Sequence, residues 1–295
     1  MKRTAFIAIV GRPNVGKSTL LNSILGEKVA IVSKKPQTTR NRITGIHTVG
    51  EDQYIFLDTP GIHKPRTKLG DFMVKTTAQT LSGVDSAILV TEAREEVGDI
   101  EAQIISKFKS EGIRAILVIN KIDTVRKENI ARTIASYAGA YDFEAIIPVA
   151  AKSGKGVDTV LSECEKLLRE SEWFFPEDIA TDQPEKQVAA EIIREKLLRS
   201  LDEEIPHGTA VTIEEWKEKR GTVSIRAEIY CEKASHKGII IGKGAATIKR
   251  IGTYAREDLE KMLDAKVFLD LYVRVKENWR DSDFNISNFG YKEEE

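Results

Sequence analysis

Gly11-Arg12-Pro13-Asn14-Val15-Gly16-Lys17-Ser18 matches the pattern G-x-x-x-x-G-K-[ST], and this stretch guides the interpretation of the first half of the chain. It follows the apolar run Phe6–Val10 and opens a segment with helical periodicity. Glycines allow backbone N–H groups to turn inward around phosphate oxygens, and the N-terminus of the following helix adds positive potential. The stretch therefore predicts a phosphate-binding loop between a strand and a helix. Thr19, the next residue, is also expected to bind the nucleotide.

The tetrapeptide Asp58-Thr59-Pro60-Gly61 follows the next clear apolar run, Tyr54–Leu57. A carboxylate at the end of a strand is placed to hold Mg²⁺ through water, and the N–H of Gly61 can approach a terminal phosphate because no Cβ obstructs it. In the phosphate loop, Lys17 is expected to reach the β and γ phosphates and Ser18 to bind Mg²⁺. These residues predict a site for a nucleoside triphosphate with magnesium.

The tetrapeptide Asn120-Lys121-Ile122-Asp123 follows the apolar run Ala115–Ile119. The carboxylate of Asp123 can accept both N–H donors of a guanine edge, a pair that adenine does not present. Lys121 can lie over the base, and Asn120 can tie its loop to the phosphate loop. A helix N-cap at Asp123 is the plain alternative, and the combined spacing of the motifs favours guanine selection.

The first half alternates short apolar runs with segments of helical periodicity. The runs are rich in Ile, Val and Leu, which is typical of strands buried on both faces. This alternation predicts an α/β fold, a mostly parallel sheet with helices on both faces. The runs are Phe6–Val10, Tyr54–Leu57, Ala87–Val90, Ala115–Ile119 and Ala145–Val149, and the helical segments are Lys17–Leu25, Lys68–Ser82, Asp99–Ser110, Lys127–Ala138 and Val157–Glu170.

These motifs together resemble the translation-factor-related class of P-loop GTPases, and the resemblance covers roughly residues 3–170. It implies that Ala150–Lys152 form the loop that contacts the guanine base, with the Ala151 N–H on the guanine O6. It also implies that residues 33–40 form switch I, in which Thr38 or Thr39 closes on Mg²⁺ and the γ-phosphate. The sequence does not decide between the two threonines, and we favour Thr39. The implied metal ligands are Ser18, Thr39 and Asp58.

Position 62 departs from Ras-like GTPases, in which a glutamine after D-x-x-G orients the attacking water. Ile62 cannot hydrogen-bond to water, so hydrolysis is expected to rest on Mg²⁺ and on the catalytic residues Lys17, Thr39 and Gly61, or on a group brought by a partner. Intrinsic turnover is expected to be slow. In similar GTPases an asparagine at the position of Asn14 helps to hold K⁺, so K⁺ is a candidate second cation.

After Glu170 the pattern changes. A polar stretch with two prolines at 173–184 predicts a linker, so we divide the chain into 1–172, 173–184 and 185–295. The last part predicts the order α-β-β-α-α-β, with the first two strands joined by a turn at Lys219-Arg220-Gly221. Its clearest elements are helices over Glu185–Leu201 and Thr253–Leu263 and strands over Ala210–Trp216, Thr222–Cys231 and Lys266–Val275.

The Gly-rich segment Gly238–Lys249 resembles the K-homology RNA-binding module of type II, in which an I-G-x-x-G loop between two helices clamps unpaired nucleotides. Six basic residues and no acidic residue lie from Lys233 to Arg256, which is typical of a phosphate footprint. Ala245 stands where the last glycine is usual, and its methyl is expected to crowd RNA or alter the loop dihedrals. A Gly-rich turn with a solvated charged rim is the alternative. The implied RNA-binding residues are Lys237, Gly238, Ile241, Gly242, Lys243, Gly244, Ala245, Lys249 and Arg250.

Length and composition limit the class of protein. The 295 residues suit two domains, and 41% hydrophobic with 31% charged residues is typical of a folded globular chain. No apolar run approaches a membrane span, and Ala5–Val10 is too short for a secretory signal. Cys164 and Cys231 are too few for a disulfide framework or a metal site. A net charge of −1 argues against a general polycation, and the cytosol is the expected compartment.

A GTPase domain followed by a type II K-homology domain is the arrangement of the bacterial Era family, and the chain is similar to it along essentially its whole length. The resemblance is carried by Gln37–Arg40, Asp58–Gly61, Asn120–Asp123 and Asn278-Trp279-Arg280. It implies a GTP-dependent role in maturation of the 30S ribosomal subunit through the single-stranded 3′ end of 16S rRNA. It also implies a cytoplasmic protein that can associate peripherally with the inner membrane, and we expect a monomer. Trp279 and Arg280 are candidates for base stacking, for a domain contact or for a buried anchor.

Two alternatives stay open at this point. The first is an RNA-binding assembly chaperone whose GTPase site is not essential, and Ile62, Ala150 and Ala245 keep it open. The second is a membrane-linked signalling GTPase whose second domain binds protein. An ATPase is disfavoured by Asp123.

Overall fold

The computed structural model describes residues 1–219 and 221–292, which form two units. The first unit comprises 1–32, 39–65 and 70–182, and the second comprises 33–38, 66–69 and the chain from Gln183 onward. Two short internal segments, 33–38 and 66–69, therefore group with the C-terminal unit. The predicted turn at Arg220 and the acidic end Glu293–Glu295 lie outside the described residues.

The first unit is built on one sheet. Its strands are β1 (Arg3–Val10), β2 (Ile43–Val49), β3 (Asp52–Asp58), β4 (Ser86–Glu92), β5 (Arg114–Asn120), β6 (Ala145–Pro148) and β7 (Arg169–Glu170). The order is β2-β3-β1-β4-β5-β6, and β7 pairs with β1. Among the described strands of this sheet, only β2 and β7 are antiparallel to their neighbours. The helices are α1 (Lys17–Leu25), α2 (Lys68–Leu81), α3 (Asp99–Glu111), α4 (Lys127–Ala138) and α5 (Val157–Glu165).

Both faces of this sheet are buried, as the apolar runs predict. In β1, Ile7 belongs to the same buried cluster as Leu20 of α1, whereas Ala8 belongs to a second cluster with Phe108 of α3. Alternate side chains of a strand point to opposite faces, so β1 is fixed from both sides. The loop that follows Val10 therefore starts from a rigid edge.

Three features of the first unit differ from the prediction. β2 was not predicted, because Gly45, His47 and Thr48 interrupt its apolar pattern. Helix α5 ends at Glu165 rather than Glu170, and β7 follows it. Part of the predicted linker is hydrogen-bonded to β2: the Ala180 carbonyl accepts from the Ile46 N–H at 2.8 Å, and other bonds tie the stretch to the same unit.

The second unit has a three-stranded sheet with helices. Its elements are α6 (Glu185–Ser200), β8 (Ala210–Lys219), β9 (Thr222–Cys231), α7 (Ala234–Ile241), α8 (Ala246–Leu263), β10 (Lys266–Val275) and α9 (Asp283–Asn288). The strand order is β10-β9-β8, with β8 antiparallel and β10 parallel to β9. Ile193 of α6, Ile229 of β9 and Ile251 of α8 share one buried cluster. The predicted α-β-β-α-α-β order is thus confirmed, although α8 begins earlier than Thr253 and α9 was not predicted.

None of the described helices is both long enough and apolar enough to traverse a lipid bilayer.

Candidate functional site

The phosphate loop joins β1 to α1 and requires glycine at both ends. Gly11 has φ of 149° and Gly16 has φ of 101°, a region that residues with a Cβ rarely adopt. A Cβ on Gly11 would lie 2.3 Å from the Val90 carbonyl oxygen, and one on Gly16 would lie 2.2 Å from Asn120 Nδ2. The loop therefore lies tightly against the ends of β4 and β5, in the conformation that turns amides inward.

Lys17 is buried at the start of α1. Its Nζ donates to the carbonyl oxygens of Gly11 at 3.3 Å and Arg12 at 3.0 Å. Burial lowers the pKa of Lys17 to about 8, and the negative charge of Asp58 opposes that shift. A buried ammonium that donates to two carbonyl oxygens gains from an added anion, so this side chain is suited to bind phosphate.

Ser18, Thr39 and Asp58 converge beside the loop. Ser18 Oγ donates to Asp58 Oδ2 at 2.6 Å and lies 2.9 Å from Thr39 Oγ1, which is 3.4 Å from the same carboxylate oxygen. Asp58 is fully buried, and burial raises its pKa to about 6 although Lys17 and both hydroxyls favour the charged form. Asp58 Oδ1 has no hydrogen-bond partner among the described residues. Two hydroxyls and a carboxylate with a spare oxygen fit Mg²⁺, a hard cation that prefers oxygen ligands.

Thr38, the other candidate, is engaged elsewhere. Its hydroxyl donates to the Lys35 carbonyl at 2.7 Å, and its own carbonyl accepts from the guanidinium of Arg194 in α6. Lys35 Nζ in turn binds the carbonyl of Leu201 at the end of α6. The structure therefore brings Thr39, and not Thr38, to the hydroxyl–carboxylate cluster.

The segment after β3 lies against the phosphate loop. The Ile62 N–H donates to the Gly11 carbonyl at 3.3 Å, and the Thr59 hydroxyl donates to the Ile9 carbonyl at 2.8 Å. A Cβ on Gly61 would lie 2.6 Å from Pro13 Cα, so only glycine allows this approach. The side chain of Ile62 packs on the apolar cluster that includes Val10. It offers no hydrogen bond to an attacking water.

Asn120 ties three loops together. Its Nδ2 donates to the Val15 carbonyl at 2.9 Å, and its Oδ1 accepts from the Lys121 N–H at 2.8 Å and the Ala151 N–H at 3.0 Å. The contact of the Ala151 N–H with guanine O6 stays a prediction, and this amide lies on the same loop network as Asn120.

Lys121 and Asp123 frame the predicted base site. Lys121 has φ of 61°, and its Nζ donates to the Asn14 carbonyl at 2.7 Å and pairs with Glu92. Asp123 is exposed in a short 3-10 turn over Ile122–Thr124. Ala150 is buried. The role of Glu92, at the end of β4, was not found from the sequence, where it is one acid among many.

The loop between α7 and α8 has the strained backbone of a tight turn. A Cβ on Gly242 would lie 2.3 Å from Thr247 Oγ1, so glycine is required there, whereas Gly244 has φ of 60° and open space around it. Ala245 has φ of 63°, so the residue that departs from the motif keeps a glycine-like conformation. Lys243 and Gly244 are exposed, and both can face a ligand.

The flanks of this loop divide into exposed and buried residues. Lys237, Gly238, Lys249 and Arg250 are exposed, whereas Ile241 packs partly against the core. Ile239 was not predicted as a site residue, yet half of its surface is exposed beside the loop. Its apolar character resembled core in the sequence, which is why the pattern did not reveal it.

Trp279 is a buried anchor rather than a stacking platform. Its side chain is fully buried, and its Nε1 donates to the Gly208 carbonyl at 2.9 Å. Arg280 pairs with Glu232 at 2.6 Å. Both interactions fasten the segment after β10 to its own unit.

Comparison with known proteins agrees with this geometry. The model of a 50S ribosome-binding GTPase family matches residues 6–121, and that of the KH domain matches residues 204–280. GTPase Era of Ruminiclostridium cellulolyticum is 48% identical over 98% of both chains. GTPase Era of Clostridium novyi is 51% identical over 99% of this chain and all of its own.

Two solved structures are similar along the whole chain. Era in complex with MgGDPNP and nucleotides 1506–1542 of 16S ribosomal RNA superposes with a TM-score of 0.94 at 38% identity, covering 99% of each chain. A variant of Era from Aquifex aeolicus bound to GDP and AlF4⁻ has a TM-score of 0.94 at 39% identity, covering 98% of this chain and 99% of its own.

The fold and the site thus define a P-loop GTPase joined to a type II KH domain. The relatives identify it further: the chain belongs to the GTPase Era family. Membership confirms the predicted enzyme class, GTP hydrolysis to GDP and phosphate, and the predicted cofactors, guanine nucleotide and Mg²⁺.

Proposed function

We propose that this chain is a GTP-driven switch that binds the single-stranded 3′ end of 16S rRNA during maturation of the 30S subunit. The observation that carries the proposal is the position of switch I. Thr39 lies in the cluster suited to Mg²⁺, while the preceding segment, 33–38, groups with the unit that bears the KH loop. One peptide bond therefore joins a nucleotide-sensing residue to the RNA-binding unit.

The nucleotide site assigns a task to each residue. Ser18, Thr39 and Asp58 would hold Mg²⁺, which would supply positive charge next to the β and γ phosphates. Lys17 exchanges its carbonyl partners for phosphate oxygens, and the Gly61 N–H faces the γ-phosphate. Because Ile62 cannot orient water, intrinsic turnover is slow. K⁺ near Asn14 is the candidate for additional stabilisation of the transition state. Equal turnover in K⁺ and Na⁺ buffers would remove K⁺ from the site.

Guanine selection rests on Asp123. Its exposed carboxylate accepts the two N–H donors of guanine, with Lys121 held over the base by Asn14 and Glu92. Substitution Asp123→Asn should weaken GTP binding by roughly 10²-fold or more and improve binding of the xanthine nucleotide, whose O2 accepts from the new amide. Competition binding with GTP, xanthosine triphosphate and ATP tests this selection, and equal ATP binding by the parent protein would contradict it.

The KH loop supplies the RNA site. Lys237, Lys243, Lys249 and Arg250 provide positive charge, and the exposed Gly244 lets a sugar–phosphate chain approach the backbone. Gly244→Asp places a negative charge on this approach and should abolish RNA binding while GTP hydrolysis persists. Lys17→Ala should do the reverse, with loss of nucleotide binding and retention of weak RNA binding. An RNA affinity unchanged by Gly244→Asp would contradict the proposed RNA site.

The proposed RNA ligand implies a binding partner and a cellular compartment for this protein. We place the protein in the cytoplasm as a monomer on 30S precursors. Peripheral association with the inner membrane is a further proposal, tested by flotation with vesicles of anionic lipid at physiological salt. Sedimentation of the purified protein with and without 30S precursors tests the monomer and the partner together.

A further inference from the structure

Arg12, the second residue of the phosphate loop, is fastened to a buried acid on α3. Its Nε donates to Glu101 Oε2 at 2.7 Å, and the Glu101 side chain is fully buried. About a fifth of the Arg12 side chain remains exposed. The pair joins the loop to an element that contributes none of the predicted nucleotide contacts.

Gly98 makes room for this pair. It precedes α3, and its φ of −77° is one that any residue can adopt, so backbone strain does not explain the glycine. A Cβ there would lie 1.7 Å from Arg12 Nη2 and 2.7 Å from Glu101 Oε2. A side chain at position 98 would therefore displace the guanidinium from its present place beside the carboxylate.

The carboxylate depends strongly on Arg12. Glu101 Oε1 has no hydrogen-bond partner among the described residues, and a buried carboxylate without a counter-charge is very unfavourable. The N-terminus of α3, where Glu101 lies in the first turn, adds a weaker favourable potential. The arginine is consequently held more firmly than a surface ion pair would hold it.

The backbone of Arg12 is part of the nucleotide site. Its carbonyl accepts from Lys17 Nζ at 3.0 Å, and the carbonyl of its neighbour Gly11 accepts from both Lys17 and the Ile62 N–H. Fixing the Arg12 side chain therefore fixes the turn on which Lys17 rests. A loop already held in shape loses less freedom when phosphate binds.

We propose that Glu101 is a positioning residue that acts through Arg12 to preorganise the phosphate loop, and that Gly98 is required for this contact. The inference rests on the proposed nucleotide site and extends it to α3. Its consequence is a longer residence time of bound nucleotide, rather than a direct part in hydrolysis.

The test measures the rate at which a fluorescent GDP is released from four variants, together with the melting temperature of each. The variants are Glu101→Gln, Gly98→Ala, Arg12→Gln and the Arg12→Gln/Glu101→Gln double variant. We expect Glu101→Gln to release GDP about tenfold faster, because a charge-assisted bond is lost, with kcat at saturating GTP changed by less than about threefold. Gly98→Ala should act in the same direction without altering a charge. The double variant should release GDP no faster than Arg12→Gln alone, since the two residues act as one unit.

The matched control is Glu144→Gln. Glu144 accepts from Arg114 Nε at the same distance, 2.7 Å, but this pair lies on the surface and takes no part in the proposed site. Wild-type release rates in Glu101→Gln and Gly98→Ala, with only a lowered melting temperature, would overturn the proposal. Failure of the parent protein to bind guanine nucleotide would instead reject the nucleotide site itself.

Discussion

Asp58 shows at the scale of one residue how burial prepares a metal ligand. Its unpaired oxygen and its raised pKa have the same cause, a carboxylate enclosed by protein with too few partners. In the proposed magnesium site, Mg²⁺ would add positive charge beyond that of Lys17. The nucleotide-free protein therefore carries an unfavourable charge that ligand binding relieves.

The pH dependence of stability tests this account. The pKa of Asp58 rises from 3.8 in the unfolded chain to about 6 in the folded one. Its stabilising contribution is then fully present below pH 3.8 and is lost as pH rises through about 6. Without Mg²⁺ and nucleotide, Asp58→Asn should melt several degrees above the parent at pH 7, and the two should converge towards pH 4.

Adding Mg²⁺·GTP should reverse this order at pH 7, because at position 58 the proposed metal is held more strongly by a carboxylate than by the neutral amide of asparagine. Thermal unfolding across pH 4–7 with and without ligand measures both effects. A melting difference between the two proteins that stays constant over this range would contradict the pKa shift of Asp58.

The two threonines of switch I provide a matched pair. Thr39→Val removes the hydroxyl that lies 2.9 Å from Ser18 Oγ and should lower kcat by roughly 10²-fold, with GDP affinity nearly unchanged. Thr38→Val removes a hydroxyl that binds the Lys35 carbonyl and should lower kcat far less. Single-turnover GTP hydrolysis compares them. Equal losses of activity in the two variants would argue against the assignment of Thr39.

Among the helices and strands, the sequence predicts those whose apolar residues recur with a strong period. The buried parallel strands, α1 and the order of the KH elements follow from apolar runs and turn residues, and the phosphate loop follows from its glycines. β2 was not predicted because Gly45 interrupts its apolar pattern. This glycine lies close to α1, since a Cβ there would lie 2.5 Å from Leu21 Cδ1. The start of α8 was not predicted because the glycines and alanines in 242–246 are typical of a loop.

The loop before α8 makes its own prediction. Ala245 has φ of 63°, which costs about 1–2 kcal/mol for a residue with a Cβ. Ala245→Gly removes that cost, but the more flexible glycine loses roughly 0.5–1 kcal/mol through the entropy of the unfolded chain. We expect a small net gain in stability and an RNA affinity that is equal or higher.

The matched control is the next residue. Ala246 begins α8 with φ of −64°, so Ala246→Gly should destabilise the same unit. Urea unfolding followed by Trp fluorescence measures both variants. A loss of stability in Ala245→Gly as large as that in Ala246→Gly would contradict a strained Ala245.

At the scale of the whole molecule, the notable feature is how the chain divides. Residues 33–38 and 66–69 lie in the sequence of the GTPase half but group with the C-terminal unit. Lys68 shows this directly, since its N–H donates to Asp281 Oδ1 at 3.2 Å and its Nζ pairs with Asp283. Such pairings join residues more than 200 positions apart, so no local pattern predicts them.

Lys35 tests whether this grouping transmits the nucleotide state. Lys35→Ala removes the contacts with the Leu201 carbonyl and Asp202, and should reduce the difference in RNA affinity between the GTP-bound and GDP-bound protein. GTP affinity should stay close to that of the parent. Lys107→Ala, which removes a surface pair with Glu111 on α3, is the control and should preserve the difference. An unchanged difference in Lys35→Ala would remove this segment from the coupling.

The most direct measurement is RNA affinity in the two nucleotide states. The parent protein is loaded with GDP or with a non-hydrolysable GTP analogue, at one fixed salt concentration, and titrated with a single-stranded oligonucleotide from the 16S 3′ end. We expect RNA to bind at least about tenfold more tightly in the GTP state than in the GDP state, in the range of typical allosteric coupling. Equal affinity in both states would contradict the switch, and no binding in either state would contradict the RNA site.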